Sequence, residues 1–181
     1  MRRMSTSDDT RSTNERIHAA FRDAVPEIID GIVTLRVVSA SGPLGQRCKV
    51  VGRSTDPDVD HVAACIGMKG SRIMQVVQTV DCTIDLLDEP YRGEVSERYI
   101  RAVLYPLEVG ALSIAEDAIR VSEVVLVRRR DRDRSAAALA ADAALADPAT
   151  LRAAVAVELT LAGEVLGRPI EMIGEPRLAV T

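Results

Sequence analysis

Apolar residues in the first part of the chain switch between helical and strand-like spacing. Residues 14–29 carry apolar side chains at helical intervals, with a break at Pro26. Residues 32–40 and 47–54 alternate apolar and polar positions, and Ser41–Gly45 supplies the glycines and proline of a hairpin connection. This pattern predicts a helix followed by a two-stranded hairpin.

Two short helices and a third strand are predicted next. Asp60 is placed to cap a helix that begins near His61 and ends at Gly67. A second helix is predicted over residues 71–79, and a strand over residues 82–87. The predicted order is helix–strand–strand–helix–helix–strand.

The second half of the chain predicts the same order again. In sequence, the helix, two strands, two helices and closing strand are predicted over residues 95–105, 109–114, 119–128, 135–146, 148–165 and 170–173. Residues 1–13 have few apolar side chains, and this composition predicts a disordered tail. We therefore expect an α+β chain with a tail at 1–13 and domains at 14–93 and 94–181.

Candidate binding chemistry lies between the two short helices of the first domain, in the turn Gly67-Met68-Lys69-Gly70. Glycine lets the main chain approach a phosphate without a Cβ in the way, and the free N–H groups of the following helix favour an anion. Lys69 and Arg72 add positive charge. Ser71 has two interpretations, a hydroxyl contact to phosphate or a cap on its own helix, of which we favour the cap.

The order helix–GxxG–helix resembles that of KH nucleic-acid-binding modules, which clamp the backbone of a few nucleotides. Between about Arg16 and about Asp85 the sequence closely resembles the first KH domain of the NusA family of bacterial transcription elongation and termination factors. The residues that carry this resemblance are Val25–Gly31, Arg53–Asp60 and Ala63–Ile73.

The resemblance implies tandem type II KH domains, each with a three-stranded sheet packed by helices, and an RNA-binding clamp in the first. It implies contacts to single-stranded RNA from the turn residues, Ser71 and Arg72, with Ile66 and Ile73 lining a shallow apolar groove. Val62 and Ile84 are further candidates for the groove, although ordinary core packing explains most of these apolar residues.

The second domain lacks this turn chemistry. Its corresponding position, Leu145–Pro148, has no glycine and no basic residue, and Asp147-Pro148 is typical of an N-cap followed by a first-turn proline. We expect a degenerate KH-like domain that has lost its clamp. The alternative is an unrelated helical extension.

Charge and composition limit the size of a nucleic-acid footprint. The net charge is −4, which opposes a large non-specific site but not a small local one. One face of a predicted strand carries Arg47, Lys49 and Arg53. These residues either extend the positive surface of the site or form the solvent-exposed face of the sheet. The run Arg128–Arg134 either follows a phosphate backbone or forms a solvated loop. An aromatic content of 2% makes base stacking a minor source of affinity.

Other chemistries find no support in the sequence. Cys48, Cys65 and Cys82 lack metal-ligand spacing and are interpreted as small apolar side chains. Residues 56–60 carry three aspartates but lack the glycine and distal glutamate of a calcium loop. We predict no catalysis, metal, cofactor or small-molecule substrate, and, without a membrane span or signal pattern, a cytoplasmic location.

The leading hypothesis is a single-stranded RNA-binding protein acting in transcription elongation, termination or antitermination, with RNA polymerase or ribosomal components as further partners. The competing hypothesis is a protein-interaction scaffold that docks on RNA polymerase, another Nus-type factor or the ribosome and has little RNA affinity. Binding to single-stranded DNA also remains open.

Overall fold

The computed structural model describes residues 6–90, 93–128 and 136–181. The chain divides into two compact units, one made of residues up to Ala40 with Gln46–Gly93, the other of Ser41–Gly45 with Glu94–Thr181. Each unit mixes helices with three-stranded sheets. No helix within the described ranges is long and apolar enough to cross a membrane.

The first unit has the predicted order of helices and strands. Its elements are α1 (Thr6–Ala24), α2 (Pro26–Ile29), β1 (Val33–Gly42), β2 (Gly45–Ser54), α3 (His61–Ile66), a 3₁₀ turn (Met68–Gly70), α4 (Ser71–Val80) and β3 (Thr83–Asp88). The sheet order is β1-β2-β3, and β3 runs parallel to β2 with Lys49 opposite Asp85.

The core of the first unit forms where α1 and α4 pack together against one face of the sheet. Ile17 and Phe21 of α1 have no exposed surface, and neither does Val76 of α4. Cys48 and Val50 of β2 are buried in the same cluster. Burial of apolar area on this scale stabilises the fold by about 25 cal/mol per Å².

The first helix starts earlier than predicted. It begins at Thr6 rather than Asn14, so residues 6–13 of the expected disordered tail are helical, and residues 1–5 lie outside the described residues.

The second unit contains three helices and six short strands within the described ranges. They are α5 (Glu97–Leu104), β4 (Leu107–Glu108), β5 (Ala111–Ile114), β6 (Ile119–Ser122), β7 (Val125–Arg128), α6 (Ala136–Ala144), α7 (Pro148–Leu166), β8 (Ile170–Ile173) and β9 (Arg177–Val180). The two sheet orders are β5-β6-β8 and β4-β7-β9.

The strands of this unit are shorter and more numerous than predicted, although β8 has the predicted bounds. The strand predicted over 119–128 is interrupted next to Glu123, which has a φ of 53°, and a final strand beyond Gly174, with a φ of 89°, was not predicted. In both sheets the middle strand pairs antiparallel with its predecessor and parallel with the last strand. Helix α7 packs on α5 and buries Leu151, Val155 and Leu159 along one face.

Candidate nucleic-acid interface

The turn between α3 and α4 has a backbone that only particular residues can adopt. Gly67 has φ 71° and ψ 174°, a region populated almost only by glycine, and Gly70 has φ 78° and ψ 13°. Between them, Lys69 has φ 54° and ψ 27°, the left-handed conformation that costs an L-residue about 1–2 kcal/mol. The predicted turn thus has a strained backbone conformation.

The two central side chains of the turn point away from the core. Met68 is 83% exposed, and Lys69 is exposed and forms no ion pair with any residue that the structure describes. An exposed ammonium group therefore lies on the residue two positions before the first residue of α4.

The N-terminus of α4 is open. Its N-cap is Gly70, and within the described residues no side chain caps it. Our expectation that Ser71 caps this helix is wrong, because Ser71 is the first helical residue and lies one position too late to act as the cap. Its hydroxyl stands at the exposed end of the helix, where the dipole is positive.

Arg72, predicted to contact RNA, is engaged inside the protein. Its Nη1 donates to Glu27 Oε2 at 2.9 Å, to Glu27 Oε1 at 3.1 Å and to the Ala64 carbonyl oxygen at 2.8 Å. The pKa of Glu27 is lowered by a hydrogen bond from its own backbone and, further, by Arg72. Sequence analysis missed Glu27 because it lies 45 residues before Arg72.

The predicted apolar lining divides between surface and core. Ile66 is 38% exposed at the end of α3, whereas Ile73 and Ile84 pack against the core. Met74, 53% exposed on α4, was not predicted. The exposed apolar residues nearest the turn in sequence are therefore Ile66, Met68 and Met74.

The predicted basic extension is wrong for two of its three members. Arg47 and Lys49 do share a face, but both contact Asp85 Oδ2, at 3.0 and 3.1 Å, and Lys49 has no exposed surface. Burial of a lysine requires a counter-charge, so these cations are structural. Arg53 is exposed and lies 3.7 Å from Glu89.

Other candidate features are also structural. The aspartate predicted to cap α3, Asp60, accepts from the Ala63 N–H at 3.0 Å, which confirms that prediction. Burial raises the pKa of the Cys65 thiol to about 11, in keeping with an inert apolar role. Arg128 pairs with Asp142 at 3.2 Å, and the rest of the Arg128–Arg134 run lies outside the described residues.

The turn between α6 and α7 in the second unit carries an acidic residue at the start of α7. Asp147 caps α7, its Oδ2 accepting from the Thr150 N–H at 2.8 Å and from Thr150 Oγ1 at 2.7 Å, as predicted. These hydrogen bonds from Thr150 lower the pKa of the Asp147 carboxyl. A carboxylate therefore occupies the place at this helix end that an external phosphate would need.

Comparison with known proteins gives a match to the first unit. A family model described as the NusA-like first KH domain matches residues 11–89. The chain resembles the KH-domain region of NusA. This match begins within α1, extends to the end of β3 and includes the whole turn.

Curated NusA relatives match over part of their length. The transcription termination/antitermination protein NusA of Thermus thermophilus is 30% identical over 109 residues, which is 60% of this chain and 27% of that protein. NusA of Bacillus subtilis is 46% identical over 57 residues, 32% of this chain and 15% of that protein. The chain thus spans about a quarter or less of these relatives.

Proposed function

We propose that this chain binds single-stranded RNA through the turn Gly67–Gly70 and acts, like its NusA relatives, in transcription elongation, termination or antitermination. The observation that carries the proposal is Lys69, an exposed lysine in a left-handed conformation beside an uncapped helix N-terminus. RNA polymerase and ribosomal components are the protein partners that this role would bring.

Backbone strain supports a binding role for Lys69. Glycine or asparagine would fit a φ of 54° more easily than lysine, and strained residues persist where function requires them. Lys69 is exposed, so core packing does not explain the residue, and its positive charge is the property that remains.

Electrostatics at the turn fit a phosphate. The exposed end of α4 presents the positive pole of the helix dipole, and Lys69 adds a full charge next to it. Met68 and Ile66 supply an apolar surface beside this pole for a base or ribose. One clamp that holds about four nucleotides and lacks aromatic stacking should bind weakly, with a Kd of about micromolar.

We further propose that residues 14–93 and 94–181 are tandem type II KH domains, the second without a working clamp. The second unit supports this by its order, in which one helix is followed by four short strands, two helices and two further strands. In each of its sheets the middle strand is antiparallel to one neighbour and parallel to the other. Asp147 explains why its turn would not hold RNA. Such a domain would bind other proteins rather than RNA. The scaffold hypothesis gives this role to the whole chain.

The test is fluorescence anisotropy with a labelled single-stranded RNA of about ten nucleotides and random sequence. Met68→Asp/Lys69→Asp should lower affinity at least tenfold, because it replaces the cation with two anions at an exposed turn. The control is Arg98→Asp/Ala153→Asp, which makes the same change in net charge at two exposed residues of the second unit.

If the turn variant still binds RNA, or if RNA affinity falls equally in both variants, the proposal that RNA binds through the turn Gly67–Gly70 is wrong. Absence of saturable binding by the wild-type chain would refute RNA binding altogether and favour the scaffold hypothesis. Circular dichroism of both variants shows whether they remain folded.

A further inference from the structure

The residues that surround the turn suggest how its conformation is held. Arg72 lies in the first turn of α4, and its one nitrogen Nη1 reaches two other segments: Glu27 at the start of α2 and the Ala64 carbonyl in the last turn of α3. A carbonyl at that end of a helix has no partner within its own helix. Arg72 therefore links three helices at the base of the turn.

The stem of Arg72 also fills the space beneath Gly67. A Cβ placed on Gly67 would come within 2.6 Å of Arg72 Cγ and 3.0 Å of its Cβ and Cδ. The main chain of the turn thus lies directly against this side chain. At Gly70, on the other side of the turn, the nearest atom to such a Cβ is 3.9 Å away.

We propose that the Glu27–Arg72 pair positions the RNA-binding turn, and that Arg72 itself does not contact RNA. This inference rests on the proposed function. Charge-assisted hydrogen bonds are the stronger kind, and those to Glu27 restrain the guanidinium, which in turn restrains Ala64 and Gly67. Pre-organising the turn lowers the entropy lost when RNA binds.

The RNA affinity of one variant, Glu27→Gln, distinguishes a positioning role of the pair from a purely electrostatic effect. Glu27→Gln removes a negative charge near the turn and keeps the side-chain shape. If charge alone mattered, RNA would bind more tightly. If the pair positions the turn, RNA should bind about three- to tenfold more weakly despite the added positive charge.

Asp30→Asn is the matched control. Asp30 is exposed at the end of the same short helix and has the same charge, but Arg72 pairs with Glu27 instead. This variant should bind RNA as tightly as the wild-type chain or slightly more tightly.

A double-mutant cycle tests whether Arg72 works through Glu27. Arg72→Met keeps an unbranched stem against Gly67 and removes the guanidinium. If Arg72 positions the turn through Glu27, the double variant Glu27→Gln/Arg72→Met should bind about as weakly as either single variant. Additive losses would mean that Arg72 contacts RNA directly and would overturn the proposal.

Amide NMR spectra without RNA give a readout that is independent of binding. The Gly67 and Gly70 signals should move in Glu27→Gln and stay in place in Asp30→Asn. Unmoved glycine signals, or tighter RNA binding by Glu27→Gln, would overturn the positioning role. If the wild-type chain binds no RNA, the proposed function fails, while the glycine signals still decide whether the pair shapes the turn.

Discussion

Lys49 Nζ lies 3.1 Å from Asp85 Oδ2, and the lysine side chain has no exposed surface. The two residues are directly opposite each other on the parallel strands β2 and β3. Arg47 reaches the same carboxylate oxygen at 3.0 Å. One carboxylate therefore serves two cations on this face of the sheet.

Removing this shared carboxylate should destabilise the protein strongly. Asp85→Asn should lower the free energy of unfolding by about 3 kcal/mol, because it takes the counter-charge from a buried lysine. Lys49→Met should cost less, since Arg47 still pairs with Asp85. Urea denaturation measures both variants.

Asp88→Asn is the control for that comparison. Asp88 lies on the same strand, 74% exposed, and its contact with His61 at 3.1 Å is of the kind worth about 1 kcal/mol or less. If Asp85→Asn and Asp88→Asn lowered the free energy of unfolding equally, the burial of the Lys49–Asp85 pair would make no difference to stability.

The two glycines of the turn should differ in the substitutions that they accept. Gly70, in the left-handed helical region, should accept asparagine at a cost of about 1 kcal/mol or less. Gly67→Asn should cost more, because ψ 174° lies outside that region and Arg72 fills the space for a Cβ. Thermal denaturation would contradict this account if the two variants had the same Tm.

Lys69→Gly should separate stability from binding. Glycine removes the strain of the left-handed conformation, so the free energy of unfolding should rise by up to about 1 kcal/mol. RNA affinity should fall because the charge is lost. A variant that is both less stable and equally tight in binding would contradict the role given to Lys69.

The Glu27–Arg72 pair predicts that the free energy of unfolding depends on pH in the acidic range. The folded state lowers the pKa of Glu27 below its usual 4.5, so Glu27 stabilises the fold above that pH, and this contribution is lost as the pH falls through the lowered pKa. Glu27→Gln should therefore lose less stability than the wild-type chain when the pH drops below about 4.5. Denaturation at a series of pH values measures the free energy of unfolding of both proteins. If it fell equally with pH in Glu27→Gln and the wild-type chain, the result would contradict this account.

Local signals in the sequence were enough to place much of the first unit and one helix cap in the second. Glycine spacing located the turn, Asp60 and Asp147 were recognised as caps, and strand alternation put Arg47 and Lys49 on one face. Alternation does not tell which face of a sheet is buried, so the burial of Lys49 could not be foreseen.

Features that depend on distant residues were missed. Glu27 and Arg72 meet only after folding, so Arg72 looked like a free cation beside the turn. The breaks in the strands of the second unit depend on backbone angles at Glu123 and Gly174 that hydrophobic spacing does not encode.

The most direct test of the central claim is an amide NMR titration of the whole chain with the random single-stranded RNA. The account predicts that signals of Gly67–Ser71 shift in a saturable way, while those of Ala146–Thr150, where Asp147 closes the helix end, stay in place. Shifts concentrated at Ala146–Thr150, or saturable binding that leaves Gly67–Ser71 unmoved, would contradict it.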